Sequence, residues 1–340
     1  MSTIPVKSLK IVCALLLVLA VTVKAGNPFK TQNDPAEKKK TINRSFTVSS
    51  SDKLSVENSF GTVDIKTWNK NEFKVDITIT AKGSSDEQTQ RLLDAIEVKE
   101  SQSGGVYSFK TEVNTKGGHH SKNDKEKHGK DNQEFQIDYA VYMPASNPLN
   151  AENSFGKLLV GDMNGATTLT NKFGEMNAGN ISNNTSISSE FGEATVAGVN
   201  GGKITVKFGK LTIGSIGGDV KVVSEYAEAV FNLNNNLSGL NLINSFGAAR
   251  VNLSADMNAS ITAECSFGEI SNTTSFPLKK IVDEDNRYSL DKHYEGTTGN
   301  GSVKIIIKSN FGDVRLMNPG DKDDSPKNKK KHKNDDDDDV

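Results

Sequence analysis

Between residues 146 and 272 apolar and polar positions alternate with period two, skip one residue, and alternate again, and the whole pattern then returns many times over. Each repeat is anchored by an aromatic residue followed by a small one: Phe155-Gly156, Phe173-Gly174, Phe191-Gly192, Phe208-Gly209, Tyr226-Ala227, Phe246-Gly247 and Phe267-Gly268. The aromatic residues are spaced by 18, 18, 17, 18, 20 and 21 positions. Outlying copies occur at Asn58-Ser59-Phe60-Gly61 and Ser309-Asn310-Phe311-Gly312. With the aromatic as position zero, −4 holds Leu169, Ile187, Ile204, Val222 and Leu242, and −2 holds Asn153, Asn171, Ser189, Ser224, Asn244 and Cys265. Apolar residues recur at +3 (Leu158, Met176, Leu211, Ile270), +5 (Val160, Val196, Ile213, Phe231) and +8 (Met163, Ile181, Val199, Ile216).

Period-two alternation places −4, −2 and the aromatic on one strand face. The aromatic row therefore reads as core rather than as an exposed sugar-stacking strip. The change of phase to +3 and +5 requires one residue to be absorbed, and Gly at +1 is expected to supply the unusual dihedrals. Turn residues follow +5. A unit this short cannot bury its apolar face alone, whereas stacked units bury one continuous core. Parallel stacking sets equivalent residues about 4.8 Å apart, so the aromatics form a stack and the Asn/Ser row hydrogen-bonds along it. The expected fold is all-β, a right-handed parallel β-helix (β-solenoid) with coils of about 18–21 residues. A left-handed hexapeptide helix needs an apolar residue every six positions; here the inward steps are two, two, three, two and three. The right hand follows the preference of parallel crossovers.

The flanks complete the expected organisation. Residues 1–25 read as a signal peptide: Lys7 and Lys10 precede the apolar run Ile11 to Val23, and Val23-Lys24-Ala25 offers a cleavage site. Residues 26–40 read as a flexible leader. Residues 41–145 read as N-terminal strands and a short helix capping the solenoid, the helix over 84–98 with Ser85 as its cap. Val106–Val113 and Phe135–Met143 are expected to pair with each other. The polar stretch 115–134 between them reads as a disordered loop. The solenoid spans 146–317, with 273–296 as a long loop and 299–316 as the final coil. Residues 318–340 read as a disordered charged tail.

Three stretches carry a family resemblance: Leu54-Ser55-Val56-Glu57-Asn58-Ser59-Phe60-Gly61, then Ile137-Asp138-Tyr139-Ala140-Val141-Tyr142-Met143-Pro144, then the serial Phe-Gly corners. Together they resemble the bacterial "putative adhesin" β-helix family over roughly residues 41–317. The resemblance implies an exported protein with a right-handed parallel β-helix and no defined activity. Ala227 departs from the corner glycine, and the charged loop near 115–134 is not a family feature.

Composition narrows the function further. Only 34% of residues are hydrophobic and 6% aromatic, which suits a thin array with a polar coat. The formal net charge is −2, and loss of residues 1–25 leaves 38 basic residues against 43 acidic ones, so no strong field points to nucleic acid. Removing the apolar leader also leaves no membrane-spanning stretch and a single cysteine, Cys265, which reads as an inert buried thiol without an internal disulfide partner. His119, His120 and His128 lack fixed metal-ligand spacing, and the Asp335–Asp339 run lacks a preorganised oxygen cage, so no metal or other cofactor is expected. A Ser/His/Asp arrangement needs a His held in the array, and the remaining His residues, His293 and His332, lie outside the repeats. Charged rows at −1 (Lys172, Glu190, Lys207, Glu225) and +2 (Lys157, Glu175, Glu193, Lys210, Glu228) read as a solvated face, with the −1 row pairing coil to coil, rather than as a catalytic strip. The site residues expected are a structural ladder of Phe155, Phe173, Phe191, Phe208, Tyr226, Phe246 and Phe267. The expected function is a non-enzymatic, adhesin-like scaffold in the periplasm or on the outer cell surface. Its polar surface would meet an envelope protein or a glycan. The alternatives are a carbohydrate-active enzyme on a β-helix and an envelope-stress or structural envelope protein.

Overall fold

The computed structural model describes residues 36–114, 134–254, 256–282 and 290–321. The signal-peptide, loop and acidic-tail expectations fall on residues outside these, apart from the edges of the last two segments. Among the described residues there are 21 strands and one helix, and the strands form a single large sheet. Its repeating part is parallel. Thr167–Lys172 pairs with Leu149–Ser154 on one side, and on the other Thr168, Leu169 and Lys172 face Ser186, Ile187 and Glu190. After each aromatic-Gly pair a second ladder begins, in which Glu175 faces Lys157 and Glu193, Glu193 faces Lys210, and Lys210 faces Glu228. The long strands Glu175–Glu190, Glu193–Lys207, Lys210–Glu225 and Glu228–Ser245 carry both arms. Breaks of register at Ser182/Thr185 and Asn200/Gly202 mark the bend between them.

Every repeat thus supplies one layer, named here by its aromatic residue. The −4 and −2 rows of one arm and the +3 and +5 rows of the other are buried, and the apolar members belong to one core. The regular period puts like on like in this core, so each apolar side chain meets its equivalents above and below.

The Phe60 layer joins the stack directly. Lys53–Ser59 runs parallel to Leu149–Ser154, and Thr62–Trp68 to Lys157–Val160. Beyond it the two ladders are closed separately. Val106–Val113 lies parallel on 53–57 and antiparallel on Ile96–Ser103. Glu134–Pro144 lies parallel on Thr62–Trp68 and antiparallel on Glu72–Gly83. Val106–Val113 and Glu134–Pro144 therefore do not pair with each other, contrary to expectation, because each extends a different arm. They meet in the core instead, where the hydroxyls of Thr111 and Tyr139 are 2.7 Å apart and burial pushes the Tyr139 phenol up to about 12. Ala36–Thr47 forms an antiparallel edge on Glu72–Gly83, so ordered strand begins at Ala36, inside the expected leader. The helix is Asp86–Asp94; the Ser85 hydroxyl accepts from the Gln88 N–H, and Thr89 and Leu93 are its buried side.

The other end departs from chain order. Val303–Asn310 is inserted between the 239–245 arm and Ala259–Ser266, and Asp313–Met317 between Ala248–Asn252 and Ile270–Asn272. The Phe311 layer is penultimate, and the Phe267 layer is last. The expected long loop contains two strands: Asp291–Thr297 runs antiparallel along the outer edge of Ala259–Ser266, and Lys279–Ile281 runs outside that. The chain closes the open edge before returning inside, and an antiparallel neighbour ends parallel stacking.

Candidate functional site: an exposed aromatic ladder

The aromatic-Gly corner is built in an unexpected way. The positive φ falls on the aromatic residue, at 50–66° in all nine copies, including Tyr226. Non-glycine residues adopt this left-handed region at a local cost of roughly 1–2 kcal/mol. Glycine is needed for another reason. A Cβ on Gly174 or Gly192 would lie 1.9 Å from the preceding layer's glycine carbonyl, and one on Gly209 2.0 Å. That carbonyl accepts the N–H of the next layer: Glu193 donates to Gly174 at 3.2 Å and Lys210 to Gly192 at 3.0 Å. The aromatic N–H donates upward too, Phe173 to Glu190 and Phe191 to Lys207. The corner thus trades a strained aromatic backbone for interlayer hydrogen bonds at a close approach that glycine's missing Cβ eases in eight of the nine corners. Ala227 is the exception, and its corner still makes them, Glu228 donating to Gly209 at 3.0 Å and Ala248 to Ala227 at 3.1 Å.

The same dihedral decides where the rings go. The inward alternation stops at −2, which is buried throughout, and the left-handed turn swings the ring out of phase with it. From Phe155 to Phe267 and Phe311 the rings are 46–56% exposed, and Phe60 is 38% exposed. The expectation of a core row is therefore corrected. The rings still stack. In the order Phe60, Phe155, Phe173, Phe191, Phe208, Tyr226, Phe246, Phe311, Phe267, successive centroids are 4.6–5.1 Å apart and successive planes within 8°. Phe135 closes the Phe60 end edge-on at 5.1 Å. It stands outside the repeat, and no periodic signal marked it. Because each face covers its neighbour, the ladder shows solvent a ridge of ring edges.

Beneath the ridge the −2 row is partly joined. Asn58 donates to the Ile137 carbonyl and to Asn153 Oδ1, Asn153 to the carbonyls of Gly61 and Lys157, and Asn244 to the Gly247 carbonyl and Ser309 Oγ. Cys265 ends this row, buried, with Sγ 3.9 Å from the Gly312 carbonyl; burial pushes its thiol up, away from reactivity.

Charges flank the ridge. At −1 the register sets Lys172 beside Glu190, Glu190 beside Lys207, and Lys207 beside Glu225. Lys207 and Glu225 close to 2.9 Å, whereas Lys172 turns to Glu152 at 2.9 Å. Each carboxylate partner raises its lysine. At +2, Glu175 is lowered by a hydrogen bond from Asn177 and by Lys157 at 3.1 Å. Among the described residues no group of three or more His, Cys, Asp or Glu is placed to hold a metal ion. His293 meets Glu295 at 3.0 Å at the edge of the last layer, and the other four histidines lie outside the described residues. No helix among the described residues is long and apolar enough to cross a membrane.

No family model and no curated protein matches the chain. Solved structures similar to it include a "putative cell adhesion protein" from Clostridium sporogenes (13% identity, TM-score 0.23, covering 84% of this chain and all of that one). Others are a "putative adhesin" from Bacteroides fragilis (10% identity, TM-score 0.27, 82% and 97%) and a "putative lipid binding protein" from Parabacteroides distasonis (9% identity, TM-score 0.36, 82% and 96%).

Proposed function

We propose that this chain is a non-enzymatic, adhesin-like scaffold of the cell envelope. Its repeats over 146–317 wind as a right-handed parallel β-helix, and its polar outer faces meet a glycan or a protein partner. Export follows from the leader at 1–25. The observation that carries the reading is a run of outward polar residues over three middle layers, before the rows turn to Val223 and Ile243 on one arm and Val230 on the other. Thr170, Ser188 and Thr205 face one another across three layers on one arm, and Asn177, Thr195 and Thr212 do so on the other. Such rows offer hydroxyl and amide groups at a fixed repeat of about 4.8 Å, suited to an extended partner lying along the array. The ring faces of the aromatic ladder are spent on one another, which disfavours sugar stacking there and leaves the polar faces as the glycan surface.

Two measurements test this. In fractionated cells, protease shaving should find the protein in the periplasm or at the outer surface; a cytoplasmic pool of the full chain would remove export from the proposal. On a polysaccharide panel the purified protein should retain a ligand without releasing shortened products. Product release would replace the scaffold with a carbohydrate-active enzyme.

A further inference from the structure

We propose that the aromatic ladder is an interface between two copies of this chain, docked ladder to ladder and antiparallel, with the two-fold axis between the Phe191 and Phe208 layers. The inference stands apart from any glycan bound on the polar faces.

Area comes first. An aromatic side chain of ~200 Å² left about half exposed presents ~100 Å², so nine rings present on the order of 900 Å². Monomeric proteins seldom expose contiguous apolar patches beyond about 300–600 Å², and a standard interface buries about 800 Å² per partner. The strip is about 39 Å long, eight steps of ~4.8 Å, and it has the size of an interface.

Charge then selects the occupant. In three successive central layers both flanks carry the same sign, and the sign alternates from one layer to the next; the Phe173 layer before them carries Lys172 on one flank and Glu175 on the other. Glu190 and Glu193 border Phe191, Lys207 and Lys210 border Phe208, and Glu225 and Glu228 border Tyr226. Two copies with parallel ladders would set Glu190 against the partner's Glu193, Lys207 against the partner's Lys210 and Glu225 against the partner's Glu228, three repulsive central bands against a single favourable one, Lys172 with the partner's Glu175. An antiparallel pair with its axis on the Phe208 layer would oppose Lys207 to the partner's Lys207. With the axis between Phe208 and Tyr226, Lys207 and Lys210 would meet acids, but Glu190 and Glu193 would meet the partner's Ser245 and the partner's Ala248.

With the axis between Phe191 and Phe208, Glu190 meets the partner's Lys207, Glu193 the partner's Lys210, and Lys172 the partner's Glu225. The one like-charged contact is Glu228 with the partner's Glu175. This arrangement also gives partners to Glu190, Glu193 and Lys210, which make no ion pair among the described residues, whereas Lys157, Lys172 and Lys207 are already paired within the chain. Eight of the nine rings are covered, Phe60 against the partner's Phe311 and Phe155 against the partner's Phe246. Phe267 remains outside.

The test uses the full chain and reads mass by sedimentation equilibrium, with circular dichroism as the folding control. The wild type should be a dimer that weakens as salt rises. One variant carries Glu190→Lys with Glu193→Lys, the other Lys207→Glu with Lys210→Glu. Each alone faces like charge across the axis and should associate at least about tenfold more weakly than the wild type. Mixed in equal amounts, the two should restore a dimer. Phe191→Asn with Phe208→Asn, which keeps a residue tolerant of positive φ at each corner, should also weaken the dimer while leaving the fold intact. A wild type that stays monomeric up to ~100 μM, itself a weak-affinity range, would overturn the proposal. So would charge variants that are folded yet dimerise like the wild type, or folded variants that stay monomeric when mixed.

Discussion

The middle of the array and its C-terminal end are made of the same layer and are assembled by different rules. From Phe155 to Phe246 the layers stack in chain order at near-constant spacing, each on the one before. At the end the Phe311 layer lies between those of Phe246 and Phe267, distant from both along the chain, yet its rings and strands match as well as any in the middle. Layer-on-layer complementarity is therefore independent of connectivity. What fixes order in the middle is the short link between layers. Once the 273–297 segment interrupts it, the edge that is closed first determines which layer becomes last.

The comparison can be broken most severely at a corner glycine. Gly192→Ala would press a Cβ to 1.9 Å from the Gly174 carbonyl, backbone against backbone, and should cost about 4 kcal/mol or more in urea unfolding. Gly104→Ala, at φ +57° with open space around it, should cost only about 1–2 kcal/mol. Equal costs at the two sites would mean that the backbone, not the interlayer approach, requires glycine.

Next comes the intercalated layer. Ile307→Ala removes a fully buried side chain and should cost about 2–4 kcal/mol. Hydrogen exchange should then quicken in 259–272 as well as 303–317, because the Phe267 layer rests on it, while 175–225 stays protected. Loss of protection in the middle layers too would show that the array opens as a single unit.

A smaller effect is expected at the ridge. Phe191→Asn forfeits two stacking contacts but keeps the left-handed corner, so unfolding should shift by about 1–2 kcal/mol, below the ~3–5 kcal/mol of a buried phenylalanine. A loss in the larger range would place the ring's weight in the core.

The smallest change concerns charge. Exchanging Glu190→Lys with Lys207→Glu keeps composition and puts Lys beside Lys172 and Glu beside Glu225. A slight loss of stability that fades with added salt is expected. Wild-type stability carries a pH dependence from the same rows: its acid side follows Glu175, whose lowered carboxyl contributes above the ordinary carboxylate range and loses that contribution as pH falls through its folded value. Its alkaline side follows Lys172 and Lys207, whose raised ammonium groups contribute below the ordinary lysine value and lose it as pH rises through the folded one. No salt dependence in the exchange variant would show that these side chains do not sense their neighbours.

The sequence by itself determined the layer. The short, regular repeat located the corners and named the inward rows at −4, −2, +3, +5 and +8. It also set Lys172 beside Glu190 and Glu190 beside Lys207, because parallel stacking at a fixed period leaves no freedom in register. Only the tertiary structure decided which way the aromatic residues point. Alternation assigns a face while the backbone stays extended, and one left-handed residue reverses the assignment without altering the pattern of letters. Tertiary structure also decided that the Phe311 layer enters ahead of the Phe267 layer, and that Val106–Val113 and Glu134–Pro144 extend different ladders. Layers with the same pattern can stack in any order, so the choice rests on which exposed strand edges the connecting segments reach and cover, a property of the folded chain as a whole.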